Sequence, residues 1–318
     1  MANSYSGTIT AGEIVALTEA MAEVYSADVM YKARGILRYE DFAVRKEELT
    51  KSNGETVNFT TYDDITMGGK LTEGTAMETQ NMSASQTQVT VDEWGNAIGV
   101  TERLLQLSWD DEMANATTLL GRDYAKVRDL SIRDEIETAG STIFTTPGAS
   151  AVGDVRLTDT MDIETLRDAV EVLEDEDTPK FNDDFYICFL SPHQAAGLRR
   201  DPDWIAAQNY AGTRRLFTGE IGRWEDIIFI TTTYQRRGDK PAAHPAYDAT
   251  LDAAGADGQH LFRASVFGDI CIGVADALFV EVRDGGIVDF GRQHRFAWYG
   301  MWGVGVLNTE YAVQIISS

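Results

Sequence analysis

The sequence predicts an α+β fold in which helices and strands mix without the regular strand-helix-strand alternation of a parallel sheet. Three observations lead to this prediction. A periodic stretch beginning near residue 109 predicts one long helix, apolar or alternating runs on both sides of it predict strands, and no internal repeat is present. The chain has 318 residues, 43% hydrophobic and 25% charged, enough for a sizeable core in one large or two smaller domains.

The net charge of -24 excludes several classes of function. Nucleic-acid binders need Lys and Arg for phosphate contacts, and an anionic membrane would repel this chain. A solvated acidic surface that keeps the protein soluble is the simplest interpretation. No run of about 18 apolar residues predicts a transmembrane helix, and the first residues do not resemble a signal peptide.

The first 53 residues predict a helix followed by an extended arm. Thr10 and Glu13 have the spacing of a capping box, so a helix is expected to begin near residue 11. Its apolar positions recur at helical spacing: Ile14, Leu17, Met21 and Val24. The basic segment from Lys32 to Lys51 has no clear period and is predicted to be extended.

Residues 54–107 predict a long two-stranded excursion. Glu55 to Tyr62 and Thr87 to Val91 alternate as strands do, and Asn96 to Leu105 resembles a further strand. The residues between them are polar, with few large apolar anchors, and cannot build a core. An isolated hairpin is marginally stable in water, so we expect the excursion to find its partner on a neighbouring subunit.

A long helix is predicted from about Trp109 to Ala139. Ser108 is its expected cap, acidic residues complement its first turn, and Gly140 is a natural stop. At about 1.5 Å per residue this helix would be about 45 Å long.

Beyond a loop at 145–160, helices and strands alternate irregularly. A helix is expected from about Ile163, a buried strand over Phe185 to Leu190, and a helix capped by Ser191 with Pro192 at its first position. Another strand is expected over Ile227 to Thr233 and a loop over 235–260. From Leu261 onward the chain is strand-rich, over Val266 to Ala275, Leu278 to Arg283 and Glu310 to Ile316.

The sequence offers no convincing catalytic, cofactor or metal site. The four histidines form no metal-binding spacing, no serine occupies a nucleophile elbow, and Cys188 and Cys271 are predicted to be buried free thiols. Gly300, Gly303 and Gly305 are interpreted as positions of close backbone packing. Acidic pairs are too numerous to indicate a glycosidase. A carbohydrate hydrolase stays an alternative that would require a pocket with converging carboxylates.

The order of these parts resembles the HK97-type fold of tailed-phage major capsid proteins. Phe189 to Gln194, Leu198 to Pro202, Trp204 to Tyr210 and Leu216 to Gly222 are similar to segments of one family within that fold, named after gene product fifty-six of the coliphage N-four. The resemblance extends from about Thr56 to the end of the chain. It implies an N-terminal arm (1–53), an E-loop (54–107), a P-domain with the spine helix (108–158), a mainly α/β A-domain (159–285) and C-terminal strands returning to the P-domain (286–318).

The resemblance implies hexamers and pentamers that form an icosahedral shell around packaged double-stranded DNA, with no catalytic residue, cofactor or metal. Expected partners are copies of the chain itself, with scaffolding, portal and decoration proteins as further candidates, and no membrane. The expected location is the virion, after assembly in the host cytoplasm. We predict that Lys70 and Arg103 contact acidic groups of an adjacent copy, with Asp110 and Asp111 as candidates. An encapsulin-like compartment with the same fold is the alternative.

Overall fold

The computed structural model describes residues 38–46, 55–62, 65–70, 77, 79–107, 112–202, 204, 220–290 and 292–318. Its helices are α1 (Glu102–Leu107), α2 (Glu112–Ile136), α3 (Ile163–Asp175) and α4 (Pro192–Leu198). Short 3-10 turns occur at Glu40–Phe42, Val152–Asp154 and Thr309–Tyr311. The strands are β1 (Val44–Lys46), β2 (Thr56–Tyr62), β3 (Ala84–Thr90), β4 (Asp92–Thr101), β5 (Ser141–Phe144), β6 (Tyr186–Leu190), β7 (Glu220–Trp224), β8 (Ile227–Thr231), β9 (Phe262–Phe267), β10 (Ile272–Val288), β11 (Gln293–Val306) and β12 (Ala312–Ser317).

The described strands form three sheets. A four-stranded sheet has the order β1-β10-β11-β4, and a six-stranded mixed sheet has the order β5-β12-β9-β6-β8-β7. β2 and β3 form a separate antiparallel pair in continuous register from Thr56 opposite Thr90 to Tyr62 opposite Ala84. The mixture of parallel and antiparallel pairing confirms the predicted α+β class.

The long helix α2 packs against both larger sheets. Leu120 and Tyr124, in its first half, contact Trp298 and Trp302 of the four-stranded sheet. Ile132 and Ile136, near its end, belong to a second core with one face of the six-stranded sheet. The helix therefore joins two hydrophobic cores that the chain builds from distant segments.

The six-stranded sheet is covered on both faces, which explains the continuous apolar run of β6. All five residues of β6 are buried, and helices α3 and α4 pack on the face opposite α2. The predicted start of α4 is confirmed, because the Ser191 side chain accepts from the Gln194 backbone N–H and the Gln194 side chain accepts in return from the Ser191 backbone.

Charged groups on α2 hold the segment that contains residues 38–40. The buried Asp129 carboxylate accepts hydrogen bonds of 2.9 Å from the backbone N–H groups of Arg38 and Tyr39. Burial raises the pKa of Asp129 to about 6. Arg128, also buried, lies between two carboxylates, at 3.3 Å from Glu40 and 2.7 Å from Asp276. This part of the predicted arm is thus fixed to the body of the subunit.

A second buried charge cluster lies at the end of α2. Glu137 lies among Arg133, Arg236 and Arg263, with nitrogen-oxygen distances of 3.9, 3.2 and 3.8 Å. Burial outweighs these cations and raises the pKa of Glu137 to about 7. The cluster connects the helix to the 232–261 loop and to β9.

Several predicted boundaries were wrong. The strand predicted over Asn96 to Leu105 ends at Thr101, where the chain enters α1. The strand predicted over Val266 to Ala275 is two strands, separated by a turn in which Ile270 has a positive φ of 59°. The closing strand begins at Ala312, after a 3-10 turn, and not at Glu310. Strands β5 and β7, and β11 with its mixture of aromatic residues and glycines, were not individually predicted.

The predicted excursion is shorter than residues 54–107, because β4 belongs to the body. All ten residues of β4 pair with β11, from Asp92 opposite Trp302 to Thr101 opposite Gln293. Among the described strands, β2 and β3 form a separate two-stranded element, which together with the described residues between them we call the ribbon. The helix predicted near residue 11 and the first turn of the long helix lie outside the described residues.

Candidate assembly surface

The inner end of the ribbon is anchored on its own subunit. Val57, Phe59, Val89 and Val91 are buried and pack around Ala275 of β10. This anchoring differs from the expectation that the ribbon has few apolar anchors and no partner on its own chain. We call these four side chains the ribbon root.

Three glycines make the seat for the ribbon root. A Cβ at Gly303 would clash with the carbonyl oxygen of Thr90, because it would lie nearer than 3.0 Å, the distance below which Cβ atoms are essentially never found from another heavy atom. A Cβ at Gly305 would lie 2.8 Å from a methyl of Val89, and one at Gly273 would lie 2.9 Å from the Phe59 ring. The strand backbones can approach the ribbon only because these side chains are absent. This supports the interpretation of Gly303 and Gly305 as close-packing positions.

The outer part of the ribbon, which we define as the described residues from Tyr62 to Met82, has a different character. Its large apolar side chains are strongly exposed: Tyr62 68%, Ile65 66%, Met67 92%, Met77 68% and Met82 77%. Single exposed apolar residues are ordinary, but five strongly exposed ones among the described residues of one short segment indicate an interaction surface. Methionine, with its flexible side chain, is suited to such a surface.

A second group of exposed apolar side chains lies on α1 and at the turn between β10 and β11. Leu107 of α1 is 69% exposed, Ile287 near the end of β10 is 66% exposed, and Phe290 beyond β10 is fully exposed. Next to them lies an open cleft of about 430 Å³ between α1 and the β10–β11 turn.

The two predicted contact residues that the structure describes lie on different elements, and their contact with an adjacent copy stays a prediction. Lys70 is exposed on the outer part of the ribbon, whereas Arg103 lies on α1 and lines the cleft beside Arg292. Asp110 and Asp111 lie outside the described residues. The exposed apolar residues of the ribbon were missed as candidates, although Met67, Met77 and Met82 are visible in the sequence as isolated apolar residues in a polar segment.

The described residues offer little for catalysis. Among them, no three His, Cys, Asp or Glu side chains are grouped so that they could hold a metal ion. A second open cleft of about 510 Å³ contains His193, His260 and Asp239, but the His193 ring stacks on Phe262 with 4.1 Å between ring centroids. His260 contacts Asp252 at 2.9 Å. These are ordinary surface contacts.

The two cysteines are buried and free, as predicted. Burial raises the pKa of Cys188 far above its usual range and that of Cys271 to about 12, so neither thiol is a reactive thiolate. No helix of the described segments is both long enough and apolar enough to cross a membrane.

Solved structures of phage capsids share this fold. The capsid of cyanophage Pam1 matches with a TM-score of 0.69 at 15% identity, covering 90% of this chain and 92% of that chain. The capsid of Ralstonia phage GP4 matches with a TM-score of 0.67 at 17% identity, covering 87% of each chain. A virus-like particle from Pyrococcus furiosus also matches, with a lower TM-score of 0.54 at 12% identity, covering 93% of this chain and 99% of that chain. Curated proteins provide no match.

The family comparison matches residues 84–315 to the model described as phage capsid protein. This span includes every described strand from β3 to β11 and reaches into β12. It exceeds half of the 318 residues. The chain therefore belongs to the phage capsid protein family, and it is a shell-forming major capsid protein of the virion with the HK97-type fold.

Proposed function

We propose that this chain assembles as hexamers and pentamers into an icosahedral shell that encloses double-stranded DNA, and that its ribbon docks on a neighbouring copy. The exposed outer part of the ribbon carries this proposal. Its root is fixed by burial of Val57, Phe59 and Val89, while Met67 is 92% exposed beyond it. Burying such side chains against a second copy removes apolar surface from water, at about 25 cal/mol for each Å².

In this proposal the parts of the chain have the roles expected from the HK97-type fold. The ribbon is the E-loop, α2 is the spine helix, and the four-stranded sheet with the first half of α2 forms the P-domain. The six-stranded sheet with α3 and α4 forms the A-domain. This assignment departs from the expected bounds, because β5 and β12, expected in the P-domain, lie in the six-stranded sheet, and β10, expected mainly in the A-domain, lies in the four-stranded sheet. Because α2 contacts both sheets, the boundary between the two domains runs across the helix.

Charge pairs between copies are a second, weaker element of the proposal. Lys70, exposed on the ribbon, and Arg103, at the cleft beside α1, would each contact an acidic group of an adjacent copy, with Asp110 and Asp111 as candidates. Each exposed pair contributes only about 0–1 kcal/mol. Such pairs would fix the register between copies more than the strength of assembly.

The acidic composition supports enclosure of DNA without specific binding. A shell wall with net negative charge repels phosphates, so the packaged genome would remain free to slide during filling and release. Scaffolding, portal and decoration proteins would be additional partners, and assembly would take place in the host cytoplasm.

The test is a variant with a shortened ribbon. Tyr62 lies opposite Ala84 in register, so residues 63–83 can be replaced by Asn-Gly, the preferred two-residue turn of a hairpin. The root then stays intact and the subunit is expected to fold. Negative-stain microscopy is expected to show shells for the natural chain and none for the variant, with unchanged far-UV circular dichroism. Normal shells formed by the shortened variant would refute the role of the ribbon.

A point variant separates apolar docking from ribbon length. Met67→Ser removes an exposed apolar side chain from the outer ribbon, and Leu157→Ser removes one that is 60% exposed in the 145–160 loop. We expect the first to raise the protein concentration needed for assembly and the second to leave it unchanged, as measured by light scattering.

An encapsulin-like compartment is the alternative function. The match to the Pyrococcus furiosus particle shows a shared fold, but its TM-score is below those of the phage capsids. The contents of purified particles discriminate the two: packaged DNA supports the phage shell, and a stoichiometric protein cargo supports the compartment.

A further inference from the structure

A chain of buried hydrogen bonds crosses the subunit. The Tyr39 hydroxyl donates to the Gln235 side-chain oxygen at 2.6 Å, and the Gln235 amide donates to the Ser265 hydroxyl at 3.0 Å. The Ser265 hydroxyl donates in turn to the Gln314 side-chain oxygen at 2.6 Å. All four side chains are buried, so water does not replace any bond that is lost. We call this chain the relay.

The relay ends on the C-terminal turn of α2. The Gln314 amide donates to the carbonyl oxygens of Ile136 at 2.9 Å and of Ala139 at 3.3 Å. Carbonyl groups at the end of a helix have no partner within the helix, so Gln314 provides a cap from β12. The Ile136 carbonyl also accepts from the backbone N–H of Ala139 at 3.1 Å, so Gln314 reinforces the end of α2, and Gln314 is itself held by the relay.

The other end of the relay belongs to a segment that is docked on the body. The backbone N–H of Tyr39 donates to Asp129 of α2, and the Tyr39 ring stacks on Phe189 of β6 with 4.0 Å between centroids. Arg38 adds a side-chain hydrogen bond to the carbonyl oxygen of Thr231, at the end of β8. Residues 38–42 therefore contact α2, β6 and β8. The Tyr39 hydroxyl, through its bond to Gln235, also connects this segment to the 232–261 loop.

Every bond of the relay points in the same direction, from Tyr39 to the helix end. Hydrogen bonds aligned in this way strengthen one another in a low-dielectric interior. If the Tyr39 side chain moves away, the side-chain oxygen of Gln235 loses this buried donor. The Gln235 side chain can then bring its oxygen to another donor only by rotating, and rotation breaks its hydrogen bond to Ser265. The disturbance then passes to Gln314 and to the carbonyls it caps.

We propose that the relay is a conformational coupling device: docking of residues 38–42 tightens the 232–261 loop and the last turn of α2, and undocking loosens both. The order of the 232–261 loop and of the last turn of α2 then depends on whether residues 38–42 are docked, although the three segments are far apart in sequence. Because binding couplings are reciprocal, loosening the helix end also weakens the docking of residues 38–42.

The first test uses hydrogen-deuterium exchange of the full chain with Tyr39→Phe. This variant removes one hydroxyl and keeps the ring that stacks on Phe189. We expect amides in residues 232–248 and 133–139 to exchange faster, by roughly tenfold, the effect of leaving one buried partner unsatisfied. The matched control is Tyr186→Phe, which removes another buried hydroxyl, one that donates to the carbonyl of Thr178 outside the relay.

The control is expected to leave exchange in both regions unchanged. If Tyr39→Phe accelerates exchange only within residues 38–46, or if Tyr186→Phe has the same effect on the helix end, the coupling does not exist.

The second test breaks the relay in its middle with Ser265→Ala and remains informative if Tyr39→Phe does not fold. Its expected result is faster exchange at both ends, in residues 38–42 and in residues 133–139. The double variant Tyr39→Phe/Ser265→Ala should exchange little faster than either single variant, because the relay is already interrupted. Simple additivity of the two effects, or an effect of Ser265→Ala confined to β9 and β12, would overturn the proposal.

Discussion

Replacing Gly303 by alanine should detach the ribbon from its seat. The added Cβ would lie against the carbonyl oxygen of Thr90, more than 1 Å inside the 3.4 Å at which ordinary contact begins. The obstacle is backbone and not the end of a flexible side chain, so either β3 or β11 must move. Such overpacking costs about 1–3 kcal/mol.

The cost should be concentrated in the ribbon root. Moving β3 away from β11 exposes Val57, Phe59 and Val89, whose burial holds the root. The four-stranded sheet should keep its pairing, because β11 is hydrogen-bonded on both sides, to β10 and to β4. Hydrogen-deuterium exchange should therefore show faster exchange of the β3 amides, with little change in α2, and assembled shells should be fewer.

The matched control is Gly99→Ala in β4, where an added Cβ meets no atom within 4 Å. This variant should keep both the protection of β3 and the yield of shells, because alanine introduces no contact there. If Gly303→Ala protects β3 as well as the natural chain does and forms shells in equal yield, the description of the seat is wrong.

Three further predictions concern buried charges and thiols. Arg128→Met should lower the free energy of unfolding by about 3–5 kcal/mol in chemical denaturation, since it leaves the buried Asp276 carboxylate unpaired and leaves the buried Glu40 carboxylate with Arg45 as its ion-pair partner. The control Arg167→Met, at a half-exposed ion pair, should cost about 0–1 kcal/mol. Burial raises the pKa of Glu137 from 4.5 to about 7, so the folded state favours the protonated carboxyl. As the pH rises from about 4.5 to 7, the natural chain should therefore lose stability relative to Glu137→Gln. A difference in unfolding free energy between the two chains that stays constant over this pH range would contradict the prediction. Cys188 and Cys271 should resist a thiol reagent in the native chain and react after denaturation; rapid native labelling would contradict their burial.

The elements that could be predicted are those whose signals are local. The cap of α4 is contained in four consecutive residues, Ser191 to Gln194, and the buried strand β6 is a continuous apolar run. The long helix followed from its acidic first turn, its apolar stripe and Gly140. Such signals need no knowledge of the partner elements.

The features that could not be predicted depend on residues that meet only after folding. In the seat of the ribbon, Val89 packs against Gly303 and Gly305, which follow more than 200 residues later in the sequence. The sequence around Val89 does not indicate that it packs against these glycines. The pairing of Arg128 with Glu40 and Asp276 is equally nonlocal. Strand β11 was missed because glycines interrupt its alternation, and their role is visible only against β3. Resemblance to capsid proteins supplied the architecture that local patterns lacked.

The division of the ribbon into a seated root and an exposed outer part separates two kinds of constraint on its sequence. A substitution at Phe59 or Val89 is felt by each subunit while it folds, because those side chains belong to its own core. A substitution at Met67, which is exposed, should leave the fold of the monomer unaffected and, under the proposed docking, should act only where two copies meet. Under that proposal the outer part can change together with the surface on which it docks, so a capsid lineage can alter the fit between its subunits without loss of stability in any one of them.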